Sequence, residues 1–254
     1  MAGGMAVGST LGVLLEPFVS WRGLFFGVAA LGLLLQFALL PYRPFLRQAG
    51  TRTRRPLRAV LAGYRALLGS GHGLRTYSYV LLNAVFHSGV FTWLGVYFAS
   101  RYRLGEVGIG SALLGYGVPG FLLGPVIGRL ADRIGRSRLI PLGLLLAGVS
   151  AIVIALNIPL LIAALLVTAL SLGYDLTQPL LAGIVTDLSP QRGQAMGLNV
   201  FTLFVGFGIG SLLFAAVLQF GMSAALVVFG VGALLACLAA IPLFRSETPV
   251  KNRA

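Results

Sequence analysis

The chain has 254 residues, of which 57% are hydrophobic and 10% charged, with a mean hydropathy of +0.94. Soluble domains carry about a quarter charged residues, so most of this surface must face something other than water, and lipid accommodates it. The net charge of +13, from 19 basic and 6 acidic residues, reads as membrane topology and not as a nucleic-acid footprint, because the basic residues fall between apolar runs. The single Cys237 excludes a disulfide framework and a cysteine-based metal site.

Apolar stretches of the length that crosses a bilayer, about 20 residues, recur at 2–19, 23–41, 76–98, 107–127, 139–156, 159–181, 194–217 and 223–244. They predict an all-α, polytopic transmembrane bundle with eight spans. Turn or charge signals punctuate it at Ser20-Trp21-Arg22, Pro41, Arg101 to Arg103, Arg129 to Arg138, Asn157-Ile158-Pro159, Ser189-Pro190, Gly221 and Arg245. Runs such as 142–156 do not alternate, so a β-barrel is excluded.

Loops on one side, 41–75, 128–138, 186–193 and 245–254, hold 16 of the 19 basic residues, and the other side holds Arg22, Arg101 and Arg103. The positive-inside rule then puts both termini in the cytoplasm. The Arg-rich, Lys-poor, Ala/Gly-rich composition suggests a GC-rich bacterial genome, which with the apolar spans makes the bacterial inner membrane the expected location. The first span repeats Gly4, Gly8 and Gly12, has no charge before Glu16, and lacks the positive region of a secretory signal. It reads as starting at the mouth of a helix whose upstream partners are absent from this chain.

The 41–75 segment divides the protein. Leu57, Val60, Leu61, Tyr64, Leu67 and Leu68 recur there at helical spacing, with arginines on the other faces. The pattern predicts an amphipathic helix over 56–68, either lying on the cytoplasmic leaflet against anionic lipid or serving as a solvated connector. The predicted organisation is two spans in 1–41, a basic linker over 42–75, six spans in 76–245, and a tail over 246–254.

Polar residues inside the spans form stripes. On the third span Tyr79, Asn83, His87, Val90 and Trp93 follow one another, with His87 near the middle. The fourth span carries Gly120, Gly124 and Gly128 on one face, a spacing that lets another helix approach closely. On the sixth, Thr168, Ser171, Tyr174, Asp175 and Gln178 share a face. A carboxylate near the bilayer centre costs about 2.5–3.5 kcal/mol on insertion scales, so Asp175 should face protein or water and is a candidate functional group. Asp175, Gln178, Tyr174, Asn83 and His87 are therefore the candidate pathway residues, with a His–Asp proton relay conceivable because His titrates near neutral pH. On the seventh span, Gly206, Gly208 and Gly210 crowd together, and Asn199 and Thr202 add polar contacts.

Residues 128–139 read Gly-Arg-Leu-Ala-Asp-Arg-Ile-Gly-Arg-Ser-Arg-Leu. This resembles the Gly-x-x-x-Asp-Arg-x-Gly-Arg-(Lys/Arg) signature of the major facilitator superfamily, found between the second and third helices of each six-helix half. Ser20-Trp21-Arg22 is similar to the turn between helices five and six. The run from Asp187 to Gly197 is similar to the loop joining helices ten and eleven. The resemblance covers the chain as helices five to twelve of a twelve-helix transporter, with helices one to four missing. The Gly-Pro-x-x-Gly-Gly core of proton-coupled drug exporters is not matched, since Gly8, Ser9, Gly12 and Val13 stand at that place.

The resemblance implies secondary transport of a small solute by alternating access, proton-coupled and in the export direction. It also implies a cytoplasmic gate built from Gly128, Asp132, Arg133, Gly135 and Arg136, in which Asp132 latches onto the start of the fifth helix, here residues 1–5. Without four helices of one half, the chain needs those helices or a second copy to enclose a cavity. The rival reading is a membrane remnant or scaffold that moves nothing. An intramembrane enzyme is disfavoured: Tyr174-Asp175 resembles one half of an aspartyl protease dyad whose other half is absent, and no His-Glu-x-x-His or phosphate-binding loop occurs. No cofactor or metal is expected, and the partners are the lipid bilayer and a small-molecule substrate.

Overall fold

The structure, a computed structural model, describes residues 2–43 and 56–247. Helix α1 (Ala2–Leu39) is followed by a short 3-10 turn, Leu40–Tyr42. Then come α2 (Leu57–Gly69), α3 (Gly71–Tyr102), α4 (Glu106–Leu113), α5 (Val118–Ile134), α6 (Arg136–Ile154), α7 (Leu160–Asp187), α8 (Arg192–Leu218) and α9 (Met222–Leu243). No strand occurs among the described residues, as the sequence predicts.

The first two predicted spans lie within α1. Two helices meet there at a kink on Ser20, whose backbone (φ 61°, ψ 160°) is not helical. At 1.5 Å per residue each arm is about 28 Å long, close to the thickness of bilayer hydrocarbon. Among the described residues seven helices are long and apolar enough to cross a membrane, the first of them at Phe18–Tyr42. The predicted span 2–19 is not in that set. The side chains of residues 1–5 and of Glu16 lie outside the described residues, as do Arg47, Arg52, Arg54 and Arg55 and residues 248–254.

The fourth predicted span is not one helix. It breaks at Leu114–Gly117 into α4 and α5, with Gly117 at φ 78°, a backbone that favours glycine. Helix α6 follows α5 directly through Gly135 at φ 88°, so the signature region is a sharp corner between two helices. At the start of α3, Ser70 Oγ accepts from the Gly73 amide at 3.0 Å, an N-cap that fixes where the span begins.

Close packing runs through small residues. Helix α3 lies along α8, and α6 lies between α7 and α9. A Cβ on Gly206 would stand 2.6 Å from the Ala84 Cβ, and one on Gly210 would collide with the Val85 carbonyl. Gly143 of α6 and Gly173 of α7 face each other, each Cβ falling 2.7 Å from the other's carbonyl oxygen. Gly148 and Gly230 do the same between α6 and α9 at 2.9 Å. Within lipid, van der Waals packing is the main force between helices, and such approaches maximise it. The stripe expected on the fourth span behaves differently. A Cβ on Gly124 or Gly128 meets nothing within 4 Å among the described residues.

Among the described residues, the two larger of three apolar clusters fill most of the interior. One gathers Leu139, Ile140, Ile184 and Phe244, and the other Phe98, Ile154, Val167, Phe214 and Leu226. The outward side chains are apolar as well, among them Phe201, Leu212, Leu235 and Leu238. That inversion of the soluble pattern is what a lipid solvent requires. Helix α1 touches α4 and α5, yet its side chains from Phe18 onward stay largely exposed.

Candidate functional site

Asp175 sits on α7, buried at 8% exposure. Its carboxylate accepts from Ser171 Oγ at 3.4 Å and from the Gly120 backbone amide. The Ser171 hydroxyl in turn accepts from the Gly117 amide at 2.9 Å. Gly117 is the N-cap residue of α5, and Gly120 lies in its first turn. The first amides of a helix lack partners within it and carry its partial positive charge. Asp175 and Ser171 therefore cap the broken helix from the side. This accounts for a carboxylate at membrane depth without a counter-cation, since no ion pair among the described residues involves Asp175. Irregular backbone inside a membrane is tolerated where protein groups satisfy it, and Ser171 is such a group.

His87 of α3 meets the same break from the other side. Its Nε2 is 2.5 Å from the Tyr116 hydroxyl, and Tyr116 belongs to the segment between α4 and α5. The imidazole stacks on Tyr174 at a centroid distance of 3.9 Å, and Phe91 stacks on Tyr116 at 3.6 Å. A narrow cleft beside His87 is lined by Phe86, Phe91, Leu94, Tyr116 and Leu170. One turn away, Asn83 Nδ2 donates to Gln178 Oε1 at 3.3 Å, a second bridge between α3 and α7. The structure thus brings Asp175, Gln178, Tyr174, Asn83 and His87 together. His87 and Asp175 are not hydrogen-bonded to each other; they contact the break through Tyr116 on one side and through Gly117 and Gly120 on the other.

Other members of the predicted stripes point elsewhere. The Tyr79 hydroxyl donates to the Ala236 carbonyl at 2.8 Å, which ties α3 to α9. Trp93 Nε1 donates to the Ser211 carbonyl at 3.3 Å, which ties α3 to α8. Asn199 is buried, with Oδ1 lacking a hydrogen-bond partner, and Thr202 is half-buried. Tyr116 and Gly117 were not anticipated from sequence. The signal was Gly115-Tyr116-Gly117 with Pro119 two residues on, a breaker cluster inside an apolar run.

At the arginine-rich end, Gly128, Asp132 and Arg133 are exposed and Gly135 is buried. Arg136 Nη1 donates to Asp187 Oδ2 at 2.8 Å, so the corner between α5 and α6 is joined to the end of α7. Asp132 forms no ion pair among the described residues, and the side chains of residues 1–5, its expected partner, lie outside them. A second clasp closes the same end. Glu247 Oε1 takes Arg75 Nη2 at 2.6 Å and His72 Nε2 at 2.8 Å, while the Arg75 guanidinium lies 4.4 Å from the Phe244 ring centre.

The helices, their lipid-type exterior and a buried polar cluster around a broken span define a polytopic α-helical membrane protein. Residues 104–254 match the family pattern of the Major Facilitator Superfamily. Two proteins of Bacillus subtilis (strain 168), each named an uncharacterized MFS-type transporter, are similar to the chain. YceJ is 28% identical over 220 residues, 82% of this chain and 54% of YceJ. YwfA is 32% identical over 139 residues, 53% of this chain and 33% of YwfA. The chain belongs to the Major Facilitator Superfamily. It spans about half the length of YceJ and a third of YwfA, and the match at 104–254 is consistent with the C-terminal portion of such a protein.

Proposed function

We propose that this chain forms part of a secondary transporter that moves a small solute by alternating access, coupled to protons and working in the export direction. What carries the reading is the cluster at the broken span. A buried carboxylate and an imidazole on two helices contact one discontinuity in a third, the kind of element around which transporter binding sites are built. Asp175 and His87 take the proton-handling roles, and Asn83, Tyr174 and Gln178 line the solute path. Gly128, Asp132, Arg133, Gly135 and Arg136 form the gate at the arginine-rich end, which faces the cytoplasm of a bacterial inner membrane. In this reading residues 1–41 complete one half, 42–75 link the halves, 76–245 form the six-helix half, and 246–254 are a tail. The cavity needs further helices or a second copy.

The test is a panel of small solutes on proteoliposomes containing the complete transporter, with and without an imposed pH gradient. The gradient should drive accumulation or efflux of one class of solute. Asp175→Asn should abolish that response while leaving membrane insertion intact, and an unchanged response removes Asp175 from the coupling role. The other reading, a scaffold that moves nothing, draws on the exposed second arm of α1 and the uncovered glycines of α5. Absence of any gradient-driven flux across the panel would favour it.

A further inference from the structure

Helix α2 has three distinct longitudinal faces. At 3.6 residues per turn, Val60, Gly63, Tyr64 and Leu67 share one of them. This face is docked on the bundle: Gln194 Nε2 donates to the Val60 carbonyl at 2.6 Å, and Leu67 is buried with Tyr77, Val185 and Ala195. Gly63 belongs to the same contact, since a Cβ there would collide with the Gln194 amide. About 90° further round lie Leu57, Leu61 and Leu68, which are 80%, 65% and 41% exposed. Next to the leucines, on the side away from the bundle, come Arg58 and Arg65, both exposed. Neither arginine forms an ion pair among the described residues.

We infer that the leucine–arginine face of α2 is a binding surface for anionic phospholipids of the leaflet at this end of the bundle. The docked face holds α2 against the ends of α3 and α8, two helices that enter the membrane there. A leucine stripe held at that level has acyl chains as its nearest apolar partner. Two arginines without an ion pair among the described residues then stand one step round the helix, where a headgroup phosphate would sit, the arrangement that binds interfacial helices. Guanidinium groups match phosphate oxygens bidentately, so the charge and the geometry select the same class of lipid. Arginine stems also reach across apolar surface while the head stays at the interface. The inference requires the bundle to stand in a bilayer and is independent of transport.

The measurement is backbone amide exchange across 57–69 in protein reconstituted into nanodiscs, one set of phosphatidylcholine alone and one mixed with phosphatidylglycerol. Two arginines beside an anionic surface correspond to roughly a 30-fold change in the docking equilibrium constant. Exchange in the wild type should therefore slow by about an order of magnitude or more when phosphatidylglycerol is present. In Arg58→Gln/Arg65→Gln the two lipid compositions should give the same exchange, and Arg58→Lys/Arg65→Lys should restore part of the difference. Equal wild-type exchange in both compositions overturns the proposal and leaves α2 a protein-bound connector. A lipid response that persists in the glutamine variant overturns it too, because anionic lipid would then act elsewhere. Since the decisive comparison uses the wild type, a variant that failed to fold would not shield the proposal, and a failed transport assay would not touch it.

Discussion

Substituting Ser171→Ala removes the one hydroxyl that joins the Gly117 amide to the Asp175 carboxylate, and its cost is calculable from the contacts. The Gly117 amide donates to Ser171 Oγ at 2.9 Å in a buried place. Left without an acceptor, such an amide costs about 1–3 kcal/mol. Interhelical hydrogen bonds in membrane proteins average only ~0.6 kcal/mol and reach ~1.7, which places the expected loss at about 1–1.5 kcal/mol. The Ser171 to Asp175 contact, at 3.4 Å, lies beyond good hydrogen-bond length and adds little. Asp175→Asn keeps an acceptor for the Gly120 amide but removes the charge at the start of α5, a loss of roughly 0.3–2 kcal/mol. The assay is unfolding in mixed micelles as denaturing detergent is increased, followed by circular dichroism, on both single variants and the double variant. If the cap is a unit, the two losses should fall short of additivity by about 0.5–1 kcal/mol. A Ser171→Ala protein as stable as the wild type, with strictly additive losses, refutes the capping argument.

Two further outcomes follow from the packing and the clasp. Gly210→Val forces methyl groups into the Val85 backbone, so α3 and α8 must separate, at a cost of about 1–3 kcal/mol or more. Size-exclusion chromatography in mild detergent should show loss of the monodisperse species, whereas Gly208→Val, which meets nothing within 4 Å, should leave it unchanged. Glu247→Gln takes away the charge opposite Arg75, whose side chain is 11% exposed, and should lower the thermal midpoint. The drop should persist at high salt, because a pair this sheltered is poorly screened. An unchanged midpoint would make the clasp energetically neutral.

The bundle was legible in the sequence because lipid leaves a coarse mark, long apolar runs with arginines sorted into alternate gaps. Asp175 was legible for the same reason, since a charge in such a run stands out. What fixes it was not. Its partners are backbone amides of Gly120 and, through Ser171, of Gly117, and side-chain patterns carry no record of where a backbone amide is free. The break itself escaped because Leu114–Gly117 carries no charge to interrupt the apolar run, and an average over a span does not register one left-handed glycine. Spacing also over-collected. Tyr79 lies on the predicted stripe with Asn83 and His87, yet its hydroxyl goes to α9. Gly208 stands between Gly206 and Gly210, yet only the outer two, four residues apart, face α3. The signature at 128–138 drew attention to Asp132, while Arg136 pairs with Asp187, a contact set by where the ends of α5 and α7 meet in space.

The placement of Asp175 has a consequence for any proton-coupled role. A carboxylate that caps a half-helix and a proton that neutralises it compete for the same two oxygens. If Asp175 carries the coupling proton, protonation removes the charge that the α5 amides face, so proton occupancy and the geometry of the α4–α5 break must be linked. Linkage is reciprocal: whatever factor the proton applies to the cap, the cap applies to proton binding. With the cap worth ~0.3–2 kcal/mol, that factor is about 2–30. The break is also tied to α3 through Tyr116 and His87, and α3 to α7 through Asn83 and Gln178. A shift of α5 away from α7 would then be felt at the imidazole without any direct bond between His87 and Asp175. In that case two titratable side chains on different helices would be coupled through the conformation of four residues of backbone, a mechanical connection that needs no chain of proton transfers between them.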